Sequence, residues 1–424
     1  MSDQIGPFQP GMDLARLSRR ALASLGREYM LFGHFLNRAG LPPVHMLLGP
    51  QARERIAIEE WMGASPIYTP RMQRAMGIEG DDVETIFKGL QLDVGFAHQY
   101  MDVHYELEGP ERGFFWLQSC GALLELEPHG EAAVFSMCHT IEDPTFDATA
   151  VATNPRARCR PIHRPPRTPA DRVPHCRWEC VIDPSAAPVQ EIPLTARARK
   201  SRLARFEFAP VTSAMPGGWS DYRAAFDPDF QLEHLSHAAL VRVCRELSMQ
   251  NHLLIRTLLM AVAERGGDEM AVRVGTAQWV GAGTIASGRV QAAMGIAPDG
   301  AEAILKVLQL HPGFLPGYMR LGFELRSPDR GRLWIEDCDA LAEGDPYGWL
   351  GLLGPASHPG LDAMVRGVNP RARCEPASPP GGARLAWDVV VEHDAAPAAE
   401  PPEAAMVRVT RAARFTFTDR ELRA

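Results

Sequence analysis

The densest chemistry in the chain lies in "MCHTIEDPTFD", Met137 to Asp147, where a cysteine, a histidine and three carboxylates fall together. Cys138 could attack an electrophilic carbon, with His139, His163 or His104 as base and a carboxylate to orient it. The same residue types could hold zinc, or iron as the alternative, through Cys138, His139, His163 and His175, leaving a position open for substrate water. Glu142, three residues after His139, is placed to join it across a turn. Asp143 before Pro144 reads as the N-cap of a helix, whose dipole would favour a thiolate at Cys138. Upstream, the alternation of "MDVHYELE" sets Asp102 and His104 on one strand face as a proton-transfer pair, or as part of a solvated polar face. Downstream, Arg164 and Arg167 in "PIHRPPR" could pair with a substrate carboxylate, or point into solvent. A second spacing, Cys159-x3-His163-x12-Cys176-x3-Cys180, is loosely that of a closed structural zinc site. No Gly-rich phosphate loop occurs, so no nucleotide cofactor is expected.

Much of the chain occurs twice, which sorts these candidates. Arg71–Leu107 and Arg289–Leu325 align without gaps with 19 of 37 positions identical. The match runs back through Trp61/Trp279 and His34/His252. It runs forward through Cys120/Cys338 and "NPRARC" at Asn154–Cys159 and Asn369–Cys374. Two units of about 190 residues result, 14–209 and 232–418. Repeats this long and this few are a duplicated domain, expected to pack like a fused dimer with approximate two-fold symmetry. Shared residues such as Tyr100/Tyr318, Cys159/Cys374 and His34/His252 are read as packing and turn positions. Unshared ones are free for function. His98, Asp102 and His104 meet Pro316, Arg320 and Gly322, and "CHTIE" has no counterpart. Residues 98–180 hold six His and five Cys, whereas 316–390 hold one His and two Cys. The first unit is therefore expected to work and the second to be a scaffold.

The elements that must position these residues follow from periodicity. "DLARLSRRALASLGREYMLFGHFLNRAG" and "GDDVETIFKGLQLDVGFAHQYM" have helical spacing, the latter with Asp81 or Asp82 as N-cap. "MDVHYELE", "ALLELE" and "AAVFSMC" alternate as strands do, and "CRWECVID" and "ARFEF" read as later strands. Helices first and strands after give an α+β unit, used twice, each a helical part followed by an antiparallel sheet. The Pro-rich "RPIHRPPRTPADRVPH" reads as a loop.

Composition narrows the partners. Apolar residues make up 46% and charged residues 23%, and the net charge is −8. Nothing in these values invites nucleic acid or an anionic membrane. The start lacks the basic and apolar regions of a signal peptide, so a cytoplasmic protein with free thiols is expected. A small-molecule substrate is the expected partner, and pairing with a second copy of the chain is open.

The order of elements, with "MCHTIED" and a closing "HCRWE" strand, resembles the 4-vinyl-reductase-type domains and the related aminothiazoline-carboxylate hydrolases. The likeness covers residues 100–183, more faintly 320–390. It implies a hydrolase of a small ring or amide, or a small-ligand-binding domain, and nominates Cys138, Asp143 and Cys176. The "PIHRPPRTP" insertion departs from that pattern. The expected function is thus a metal-assisted or cysteine-dependent hydrolase in the first unit. The alternative is a small-ligand-binding or sensory module with a structural zinc site.

Overall fold

The structure, a computed structural model, describes residues 3–297 and 300–418. The first unit opens with two long helices, α1 (Arg19–Leu48) and α2 (Pro50–Met76), broken at Gly49. The break has φ 81°, a left-handed value that glycine adopts without strain. A short α3 (Val83–Leu90) follows, capped by the Asp82 side chain, which accepts from the Thr85 N–H. Then come β1 (Met101–Gly109) and β2 (Arg112–Cys120). A helical insert follows: α4 (Gly121–Leu126), α5 (Glu131–Phe135), a π-helical turn (Ser136–Ile141) and α6 (Glu142–Thr153). Strands β3 (Ala157–His163) and β4 (Cys176–Ile182) complete an antiparallel sheet in the order β1-β2-β4-β3. Short helices α7 (Pro193–Ala198) and α8 (Arg202–Arg205) end the unit.

The second unit repeats this plan. Helix α9 (His237–Met294) is the counterpart of α1 and α2 together, and its break at Gly267, φ 76°, matches Gly49. After α10 (Ala301–Gln309), strands β5 (Leu321–Ser327), β6 (Arg330–Glu336), β7 (Ala372–Pro376) and β8 (Ala383–Val391) form the equivalent sheet, order β5-β6-β8-β7. Helix α11 (Pro359–Arg366) stands where α6 does, and α12 (Pro402–Arg408) and α13 (Arg411–Arg414) close the unit. The chain is therefore an α+β protein with a duplicated unit and two separate four-stranded antiparallel sheets.

The two units pack about an approximate two-fold axis, visible in reciprocal contacts. Arg71 forms a paired ion contact with Glu246, and Arg289, its counterpart, forms one with Glu28, the counterpart of Glu246. Helices α1 and α9 run side by side in register. A Cβ added at Gly26, Gly33 or Gly40 would sit 3.5, 3.2 or 2.8 Å from a side-chain atom of Cys244, Asn251 or Leu258. Each of these pairs joins equivalent positions of the repeat. The seven-residue spacing is that of a parallel coiled-coil seam, with glycine on one helix making room for the larger mate. The unit ends are exchanged as well. Phe206, from the first unit, packs edge-on at 5.6 Å against Tyr318, and Phe415, from the second, at 5.4 Å against Tyr100.

Three local expectations change. "ALLELE" and "AAVFSMC" are helical, not strands, and "ARFEF" leaves α8 as an extended tail without a sheet partner among the described residues. Asp143 is not an N-cap: the helical path runs from α5 through the π turn into α6, so Asp143 lies inside it.

Candidate functional site

The π-helical turn decides the geometry around Cys138. A π turn inserts one extra residue per hydrogen-bonded ring, and in it the Cys138 thiol lies beside the Glu142 carboxyl, close enough to interact with it electrostatically. Cys138 is 2% exposed. Cys120, at the end of β2, and Cys176, at the start of β4, lie close enough to interact with it electrostatically. Burial first, and Glu142 second, push the Cys138 thiol far above its ordinary value. The expected thiolate stabilised by a helix N-terminus is therefore corrected: Cys138 sits within a continuous helical path and is a neutral, covered thiol. Burial, then the adjacent Asp143 carboxylate, raise Glu142 to about 8, against the opposing pull of Arg164 and of the Cys138 thiol. Glu142 thus holds its proton into the physiological range.

The Pro-rich connection between β3 and β4, residues 164–175, lies over this turn as a strap tied at three points. Arg164 pairs with Asp143. The His139 Nε2 lies 2.7 Å from the Pro165 carbonyl oxygen and must carry the proton it donates there, while its ring stacks on Phe135 at 4.1 Å. Arg167 makes a two-pronged contact with Glu127, 2.7 and 2.8 Å. So the two arginines expected to bind substrate are engaged with the chain's own carboxylates, and His139 is a strap anchor rather than the base for Cys138. The corresponding β7–β8 connection, residues 377–382, is half as long.

The other candidates do not converge on Cys138. His104 and Asp102 are paired at 3.5 Å, but His104 stands on the outer face of β1, stacked on Trp116 at 5.7 Å. In β4, Cys176, Trp178 and Cys180 are buried on the opposite, inner face. The second unit explains the substitution: a Cβ at Gly322, the counterpart of His104, would clash with Trp334 at 2.0 Å. The Asp102–His104 pair instead borders a small open groove between β1 and residues 228–231, together with His98 and Gln99.

The metal set is also dispersed. His175 Nδ1 accepts the Cys120 N–H at 3.0 Å, His139 is bound to Pro165, Cys138 lies beside Glu142, and His163 sits at the end of β3 opposite Arg177. Zinc or iron would need three of these donors in one coordination sphere. Among the described residues no group of three or more His, Cys, Asp or Glu side chains is arranged to hold a metal ion. The zinc-finger-like spacing fails for a related reason. Cys159 and Cys180 face each other across β3 and β4, and the Cys159 N–H is held by Asp147 at 2.7 Å, as the Cys374 N–H is held by Asp362 at 2.7 Å. Cys159 is a fold residue in both units, as its repeat predicts. All eight cysteines are free and buried.

A shared constellation proves richer than packing. In the first unit Arg38 donates to Glu125 at 3.0 Å and to the Tyr100 hydroxyl at 3.2 Å, beside the His34 ring, which lies 4.9 Å from that of Tyr100. The second unit sets His252, Arg256, Tyr318 and Glu343 in the same places. "HFLNR" and "HLLIR", each a His and an Arg four residues apart on one helix face, carried this signal in the sequence.

Searches of family models, curated proteins and solved structures find no match to the chain. Among the described residues no helix is long and apolar enough to cross a membrane.

Proposed function

We propose that the first unit is a cysteine-dependent hydrolase of a small molecule, with Cys138 as nucleophile and Glu142 as its base beneath the strap. The observation that carries this reading is the buried Cys138 thiol beside the Glu142 carboxyl in a π-helical turn that the second unit lacks. Single π turns inside helices frequently accompany functional sites. A carboxyl raised toward neutrality is matched to proton transfer.

In the proposed reaction the ionised Glu142 takes the Cys138 proton as sulfur adds to an electrophilic carbonyl carbon. The proton passes to the leaving group as its bond breaks, giving a thioester. Glu142 then deprotonates water, which adds to the thioester, and the thiol is restored as the acid leaves. Because Glu142 must be ionised, kcat/KM should rise with pH through about 8. Arg164, Arg167 and His139 hold the strap that excludes water. Among the described residues no ligand set for a metal-assisted route is assembled, and no step is assigned to one. Cys138 and Cys176 are also positions nominated by the resemblance to aminothiazoline-carboxylate hydrolases.

Incubation with p-nitrophenyl acetate tests the proposal. An acetyl adduct on Cys138, with turnover lost in Cys138→Ser and in Glu142→Gln, is expected. Hydrolysis unchanged in Cys138→Ser would exclude it.

A further inference from the structure

Two further thiols of the first unit face each other across the sheet. In the β3–β4 ladder Cys159 is the direct partner of Cys180. Antiparallel partners alternate between a hydrogen-bonded pair and a closer, non-hydrogen-bonded one. Cys159 belongs to the second kind. Its N–H turns away from β4 to the Asp147 carboxylate of α6 at 2.7 Å, and two residues earlier the Ala157 N–H also leaves the ladder, for the Asn154 carbonyl at 2.9 Å. Partners at such a position have Cα atoms about 4.5 Å apart and side chains on one face of the sheet. That separation falls within the roughly 4.4–6.8 Å that a disulfide spans without backbone movement. The two side chains interact: Cys180 first, and burial second, hold the Cys159 thiol well above its ordinary value.

The second unit separates what the fold needs here from what it does not. Cys374 stands where Cys159 does, with its N–H held by Asp362 in the same way, but it faces Val389, which is as fully buried as Cys180. Valine therefore meets the packing demand at this position, and Cys180 adds only its sulfur. Among the described residues no other cysteine has a cysteine as strand partner: Cys120 stands opposite Met101, and Cys176 opposite Leu117.

We propose that Cys159 and Cys180 form a redox-modification site, which a peroxide converts to a cross-strand disulfide. The Cys159 sulfur attacks one peroxide oxygen and the O–O bond breaks. Sulfur becomes a sulfenic acid, and the other oxygen leaves as water with the thiol proton. The Cys180 sulfur then displaces the sulfenic hydroxyl to form the S–S bond, and its proton leaves with that hydroxyl as a second water. Two thiols are oxidised and one peroxide is reduced. Cys159 is the attacking sulfur because β3 is an edge strand, free to open locally, whereas β4 is paired on both sides. Both thiols are buried in the closed sheet, so the reaction waits on that opening. The bond closes the loop that carries the strap, since residues 164–175 run from β3 to β4. It leaves the anchors at Asp143, Pro165 and Glu127 untouched and does not depend on the role of Cys138.

The test incubates the folded full chain with hydrogen peroxide, blocks the remaining thiols with iodoacetamide in urea, and maps the unreduced digest by mass spectrometry. A Cys159–Cys180 peptide pair that dithiothreitol separates is expected, with Cys374 alkylated as a thiol. Oxidised wild type should unfold at a higher temperature than reduced wild type, because the closed loop restricts the unfolded chain. Cys180→Val, which copies the pairing of the second unit, should form no link and show no such rise. Thiols at both positions that stay reduced in the folded protein, a link that appears only after unfolding, or a link through Cys120, Cys138 or Cys176 instead would each overturn the proposal.

Discussion

Glu60 is the most isolated ionisable side chain described. It is 0% exposed, both carboxyl oxygens lack a partner, and burial raises its pKa well above the ordinary carboxylate range. The folded chain therefore holds this proton to higher pH than the unfolded chain does. Stability is intact below the unfolded carboxylate range and is lost as pH rises toward the folded value. Glu60→Met should stabilise the protein by about 1–3 kcal/mol in urea denaturation, and by more at pH 9 than at pH 6. Nothing in "IEEWMG" distinguishes the buried Glu60 from the partly exposed Glu59, which pairs with Arg265 at 2.8 Å. At the site, Cys138 and Glu142 were legible as residues found in one copy only. Their relation was not, because the strand-like alternation of "AAVFSMC" hid the helical path on which Cys138 and Glu142 are i, i+4 neighbours. His139, His163 and His175 looked like ligands because residue type is visible in a sequence and side-chain direction is not.

Short alternating segments misled at the level of elements. "ALLELE" and "AAVFSMC" fit a two-residue period, but over so few residues they also fit a helix that buries Leu123, Val134 and Cys138. The long segments were safer: α1 and β1 fall where periodicity places them, and Asp82 caps α3. The strap was legible as a Pro-rich loop, but its three anchors were not, since each depends on a partner far along the chain. Arg167→Ala should release Glu127, let Arg38 adopt the pairing seen between Arg256 and Asp345, and speed iodoacetamide alkylation of Cys138 several-fold. The cost in stability should stay below about 1 kcal/mol, the range for partly exposed pairs. Unchanged alkylation would mean that the strap does not gate the thiol.

The duplication organises the whole molecule. Its gapless match fixed the number of units and foretold their two-fold packing, which the reciprocal Arg71–Glu246 and Arg289–Glu28 pairs display. The exchange of tails was not foretold, because both tails have the same sequence pattern whichever unit they cover. Breaking one central pair by Arg71→Met strands the buried Glu246 and should cost about 3–5 kcal/mol. The double variant Arg71→Met/Glu246→Leu should recover most of that in equilibrium unfolding. Since each tail covers the other unit, 1–212 and 213–424 expressed as separate chains should be unfolded alone and assemble one-to-one when refolded together. Two independently folded halves, seen by circular dichroism and size-exclusion chromatography, would contradict the account of a shared core.

The most direct measurement of the central claim is the rate of Cys138 alkylation by iodoacetamide against pH, followed by peptide mass spectrometry in wild type and Glu142→Gln. If Glu142 is the base, the wild-type rate rises with a midpoint near pH 8, the value to which burial lifts that carboxyl, and Glu142→Gln loses the inflection. A Cys138 that stays inert until the protein unfolds, or a profile unchanged by Glu142→Gln, would contradict the account.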